Sequence, residues 1–147
     1  MEEYKEFVVE DILTQIRKKE QTIFAICGKH GSGKKQIYKA ISNEFKDLVF
    51  INTDEISLTT ISLIKEVSIL KDKLVIIDCF SMIQAQDISI TCCLQKLIKI
   101  SKKNNLKIII TLNTYDFFGT DVIHRQKLLE SFHISFYNLN TLKPNNL

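Results

Sequence analysis

Apolar residues in this chain follow two rhythms that alternate along its length. Phe7, Val8, Ile12, Leu13 and Ile16 recur at steps of three and four, the spacing of a helix with one buried face, and Arg17-Lys18-Lys19 put cations in its last turn, where the helix dipole favours them. Thr22–Cys27 is instead a short continuous apolar run, which fits a strand covered on both sides. The helical rhythm returns over Lys34–Phe45 through Ile37, Ala40, Ile41 and Phe45. Leu48–Asn52 reads as a second strand, Ser57–Leu70 as a helix, and Leu74–Ile77 as a third strand closed by Asp78. A longer helix over Ile88–Lys102 turns Ile90, Cys93, Leu94, Leu97 and Ile98 inward and Lys96, Lys99, Lys102 and Lys103 outward. Leu106–Leu112 is the fourth strand, Asp121–Glu130 a shorter helix, and His133–Leu139 the fifth strand.

Strands that are apolar almost throughout, each followed by a helix, predict an α/β fold: a five-stranded parallel sheet with helices on both faces, a three-layer sandwich. Ligands of such sheets sit beyond the carboxyl ends of the strands. Those ends are where the chain places a glycine-containing loop at 28–35, Asp54 and Glu55, Asp78 and Asn113.

Composition narrows this picture only a little. The 147 residues predict one domain over 1–142 and a short disordered tail at 143–147. With 45% hydrophobic and 25% charged residues the chain lies far from the disordered range, and a net charge of +3 is too mild to demand a polyanionic partner by itself. Cys27, Cys79, Cys92 and Cys93 show no metal-ligand spacing and sit in apolar segments, so buried reduced thiols are expected. Met1–Lys5 is polar rather than basic and then apolar, and no apolar run has the length of a bilayer span. The expectation is a cytoplasmic protein without a membrane partner.

The chemistry is concentrated in Gly28-Lys29-His30-Gly31-Ser32-Gly33-Lys34, set between the first strand and a helix. The spacing is that of GxxxxGK[ST], in which glycines let backbone N–H groups turn towards phosphate oxygens, the lysine reaches the β and γ phosphates, and a Ser or Thr hydroxyl holds Mg²⁺. Lys35 stands where that hydroxyl belongs, and an ammonium has no acceptor to offer a metal. Nucleotide contact is expected from Gly28, Lys29, His30, Gly31, Ser32, Gly33, Lys34, Lys35 and Gln36, with Mg²⁺ binding weakened and hydrolysis poor.

Asp78, at the end of Leu74-Val75-Ile76-Ile77, has the form of the second NTPase motif, whose carboxylate orients Mg²⁺; the alternative is a helix cap or turn residue. Many ATPases carry a second carboxylate next to it to activate water, and here that position is Cys79. Glu55 or Asp54 could take over that role, or only cap the following helix. Asn113 could sense a γ-phosphate or position water, or simply form a turn. Asp78, Asn113 and Glu55 are thus the catalytic candidates, and Asp78 the metal candidate. Arg125 is one of two arginines and reads as an arginine finger or a solvated helix residue. Lys96, Lys99, Lys102, Lys103 and Lys107 read as a nucleic-acid backbone contact or a solvated face.

On Gly28–Lys34 and Leu74–Asp78 the chain resembles the P-loop NTPases, and within them the AAA+ and RecA-like ATPase cores, with Ile110-Thr111-Leu112-Asn113 similar to a sensor-1 strand end. The order of the leading helix, the loop, Val49-Phe50-Ile51-Asn52, Ile76-Ile77-Asp78 and a late Arg125 is similar to that of DnaA-type replication initiators and their short Hda relatives. The resemblance implies ATP or ADP binding, assembly with a protein partner or a like ATPase domain, and a role in DNA replication with indirect contact to DNA. Residues 35 and 79 depart from the family pattern, as does the lack of a helical lid after Leu142, and together they favour a regulator or adaptor over a motor. A small nucleotide or metabolite kinase is the competing class, and a structural P-loop domain without ligand a third. Strand order separates the first two: Leu106–Leu112 between the first and third strands favours the ATPase reading.

Overall fold

A computed structural model describes residues 1–19, 21–54, 58–113 and 122–140, with the backbone alone at 122–125. The two rhythms resolve into α1 (Glu3–Lys18), β1 (Ile23–Gly28), α2 (Lys34–Ser42), β2 (Leu48–Asn52), α3 (Thr60–Ser68), β3 (Leu74–Asp78), a 3₁₀ turn at Phe80–Met82, α4 (Ile90–Lys103), β4 (Lys107–Asn113), α5 (Val122–Ser131) and β5 (Ser135–Asn138). The strands form one sheet in the order β2-β3-β4-β1-β5, and every pairing is parallel. β4 therefore lies between β1 and β3. Helices cover both faces, so the predicted α/β three-layer architecture is the one observed.

Burial follows from that order. β1 has a strand on each side and a helical layer on each face, and all six of its residues are buried. β2 is an edge, and Leu48 and Phe50 are exposed there. Alternation along the strands sorts the core into two layers. Ala25, Cys27, Val75, Ile77, Ile108 and Ile110 face α3, α4 and Leu129 of α5. Phe24, Ile26, Leu74, Ile76 and Ile109 face α1 and α2. Continuing the second set by twos leads to Gly28, Asp78, Thr111 and Asn113, so the polar strand ends belong to the α1/α2 face.

The helices on the two faces begin differently. Thr59 Oγ1 accepts a hydrogen bond from Ser62 N–H at the start of α3, and Ser89 Oγ accepts one from Cys92 N–H at the start of α4. α2 starts at Gly33 with no side-chain cap and no acidic residue in its first turn. The ends also have a pattern. Lys19, Asn105 and His133, just past α1, α4 and α5, adopt φ of 59°, 53° and 61°, a left-handed stop usually made by glycine. The chain has four glycines, and three of them lie within Gly28–Gly33, at the end of β1 and in the loop after it.

Several boundaries differ from the sequence reading. α1 buries two i, i+4 rows, Tyr4-Val8-Ile12 and Lys5-Val9-Leu13, and Phe7, expected inward, lies outside both and is exposed. α2 ends at Ser42 rather than Phe45, and the left-handed His133 delays β5 to Ser135. Glu55, Phe117, Phe118, Gly119, the Arg125 side chain and the tail at 143–147 lie outside the described residues. Among the described residues no helix is long and apolar enough to cross a membrane.

Candidate functional site

A cavity of about 520 Å³ opens at the carboxyl edge of the sheet, lined by Lys5, His30, Gly31, Gly33, Lys34, Lys35, Gln36, Asp54, Asp78, Cys79, Met82, Thr111 and Asn113. Its floor is the loop between β1 and α2. The first glycine is required by a close approach, since a Cβ on Gly28 would lie 2.3 Å from Ser32 Oγ. Gly31 and Gly33 have φ of 79° and 100°, which L side chains rarely adopt. These turns aim the loop at the start of α2, where first-turn N–H groups and the helix dipole favour an anion. Ser32 Oγ is buried without a hydrogen-bond partner among the described residues.

Lys34 ties the loop to the sheet. Its Nζ donates to the Gly28 carbonyl at 2.6 Å, to the Lys29 carbonyl at 3.3 Å and to Asn113 Oδ1 at 3.1 Å. Asn113 can reach it because β1 and β4 pair with Gly28 opposite Asn113. Burial lowers the Lys34 ammonium from its ordinary 10.5, while Cys27, Asp78 and Cys79 pull in the other direction. A partly desolvated cation at the mouth of uncapped N–H groups is suited to a phosphate, whose charge it meets with little competing water.

Asp78 is anchored from two sides. Thr111 Oγ1 donates to its Oδ1 at 2.5 Å, and the Tyr38 hydroxyl lies 3.4 Å from its Oδ2. Burial, then the charge of Asp78 and the bond to it, push the Tyr38 hydroxyl up to about 12. Thr111 also accepts from Cys79 N–H at 2.9 Å, and the fully buried Thr53 donates to the Cys79 carbonyl. Cys79 itself has φ of 59°, and that left-handed residue turns the chain out of β3 into the 3₁₀ turn.

A divalent cation needs oxygen ligands. Each Asp78 oxygen accepts from one protein hydroxyl and keeps a further lone pair, while Lys35 brings no acceptor where a hydroxyl ligand would stand. The protein ligands left for a nucleotide-bound Mg²⁺ are therefore carboxylates alone, without the hydroxyl.

The structure thus brings together His30, Gly31, Gly33, Lys34, Lys35, Gln36, Asp78 and Asn113, all of them sequence candidates. Gly28, Lys29 and Ser32 build the loop from below or outside without lining the cavity. Glu55 lies outside the described residues, and its neighbour Asp54 lines the cavity. The lysines of α4 do not join the site, and Lys107 stands at the opposite end of β4 from Asn113. Of the four cysteines expected to be buried, Cys27 and Cys93 are, while Cys79 and Cys92 are only partly buried, and burial pushes Cys93 up to about 12.

Thr111, Tyr38 and Lys5 are among the contributors absent from the sequence candidates. Thr111 could have been found by counting back two from Asn113 on a strand. Tyr38 lies one helical turn beyond Lys34, a spacing that puts both on one side of α2. Lys5 has no local signal, because only tertiary packing carries α1 to the loop. No family model matches the sequence, and no curated protein matches it.

Proposed function

We propose that the chain is an ATP- or ADP-binding domain of the AAA+ type with little or no hydrolytic activity, acting as a regulator or adaptor, with DNA replication as the setting its family resemblance implies. One observation carries nucleotide binding: Lys34 Nζ bridges Gly28 and Asn113 at the mouth of a helix start that no side chain caps. Phosphates arriving there meet backbone N–H donors and a cation already in position. Strand order supports the ATPase class over a kinase, since β4 lies between β1 and β3. Low turnover is supported by Cys79 in place of an acid and by an Asp78 held by Thr111 and Tyr38.

Calorimetric titration of ATP and ADP, with Mg²⁺ and with EDTA, tests the reading. Wild-type protein should bind, and Lys34→Ala should weaken binding about a hundredfold or more, the loss of a desolvated charge-assisted contact. Absence of binding under both conditions, or unchanged affinity in Lys34→Ala, overturns it. Phosphoryl transfer to a small acceptor would move the chain to the kinase class.

A further inference from the structure

Lys5 is an unusual residue to find inside a protein. It is 7% exposed, on the inner face of α1, and its amine reaches the loop. Nζ donates to Gln36 Oε1 at 2.8 Å and lies 5.6 Å from the centre of the Tyr4 ring. It rests directly on Gly33: a Cβ there would meet Lys5 Cε at 2.4 Å and Nζ at 2.5 Å. Among the described residues no carboxylate pairs with it, and its contacts there are one neutral amide oxygen and a ring face. Burying a charge on those terms is costly. The location adds to the cost, because the positive end of α2 and the ammonium groups of Lys34 and Lys35 border the same cavity, against two carboxylates, Asp54 and Asp78.

An anion in the cavity would offset all of these terms at once. A protein that bound nucleotide through a metal would gain little from a third lysine, whereas one with Lys35 in place of the metal-holding hydroxyl must neutralise phosphate charge in another way. We propose that Lys5 is a direct ligand of the bound phosphates, so that the site takes a nucleotide's polyphosphate without a divalent cation. α1 is then part of the binding site rather than a cover for the sheet. The inference rests on the nucleotide-binding reading, and the test separates the two.

Lys5→Met keeps the buried aliphatic stem and removes the charge. ADP, ATP and sodium tripolyphosphate are titrated into wild-type and variant protein by calorimetry in EDTA and again with Mg²⁺, and the unliganded proteins are melted. Wild-type protein should bind all three in EDTA at least as tightly as with Mg²⁺. Lys5→Met should bind each about tenfold more weakly in EDTA, the loss expected for one charge-assisted contact. Its unliganded form should melt at the wild-type temperature or above it, which a residue that merely props the loop would not do. Wild-type affinity in Lys5→Met, or wild-type binding that requires Mg²⁺, overturns the role of Lys5 while leaving nucleotide binding standing. No binding of any probe by wild-type protein overturns both. If Lys5→Met fails to fold, the ¹⁵N signal of Lys5 Nζ in wild-type protein decides: a shift on adding tripolyphosphate in EDTA supports the contact, and an unmoved signal overturns it.

Discussion

The helices on the two sides of the sheet begin in opposite ways. α3 and α4 finish their own first turns, with Thr59 and Ser89 accepting from Ser62 N–H and Cys92 N–H. α2 has no such cap, and Lys5, Lys34 and Lys35 border its start. Both sides have a fully buried apolar layer, so the difference is not one of packing. A self-capped helix start needs nothing further, whereas an uncapped start bordered by cations leaves N–H groups for the anion proposed above. The polar strand ends follow the same division, because alternation sends Asp78, Thr111 and Asn113 to the α1/α2 face.

The comparison is broken most strongly at Gly33. Gly33→Ala places a methyl at φ 100° and against Lys5, and should cost about 1–3 kcal/mol of stability as well as most of the phosphate affinity. Denaturant melts and calorimetry measure both, and in a Lys5→Ala background part of the stability loss should return. Next is Ser89→Ala, the matching change on the other side. It removes the α4 cap and should cost about 1 kcal/mol, with nucleotide affinity unchanged. A fall in affinity there would mean that the two sides are not separable.

Tyr38→Phe is smaller, about 0.5–1.5 kcal/mol for one hydrogen bond to Asp78. It also has a pH signature. The Tyr38 hydroxyl rises in the folded state from 10.0 to about 12, so its stabilising bond is complete below pH 10 and is lost as pH climbs towards 12. Melting curves between pH 8 and 11 should therefore fall less steeply for Tyr38→Phe than for wild-type protein above pH 10. The smallest effect belongs to Lys35→Thr. The Lys35 side chain is exposed, so stability should move by no more than about 0.5 kcal/mol. If the absent hydroxyl alone limits turnover, Mg²⁺-dependent hydrolysis should rise, and a flat rate assigns the deficit to Cys79 and the anchoring of Asp78.

Much of this was legible in the residues, for reasons that also mark where legibility ends. Strands buried on both faces must be apolar throughout, so β1, β3 and β4 appear in the sequence within a residue or two of their true bounds. The loop is legible because its glycines answer to local backbone geometry. Asp78 and Asn113 are legible because polarity at the end of an apolar run is conspicuous. Phe7 was misread because helical spacing fixes relative faces but not which face meets the sheet. Lys5 could not be read at all: its neighbours Gly33 and Gln36 are distant in sequence, and a lysine near a chain start looks solvated until the fold buries it. The 3₁₀ turn after β3 was missed because nothing in Cys79 announces a left-handed residue.

The pairings of β1 also set an order in time. Its neighbours are β4, which begins at Lys107, and β5, which begins at Ser135, so during synthesis β1 and its loop emerge long before either flanking strand exists. The Leu139 N–H closes onto the Cys27 carbonyl only at the end of that sequence. Until β4 is made Lys34 lacks Asn113, and the loop is a glycine-containing segment without a frame. These contacts have high sequence separation, so β1 is the founding strand of the sheet by position and among the last to be secured. The cradle is framed on both sides only once residue 139 has been made.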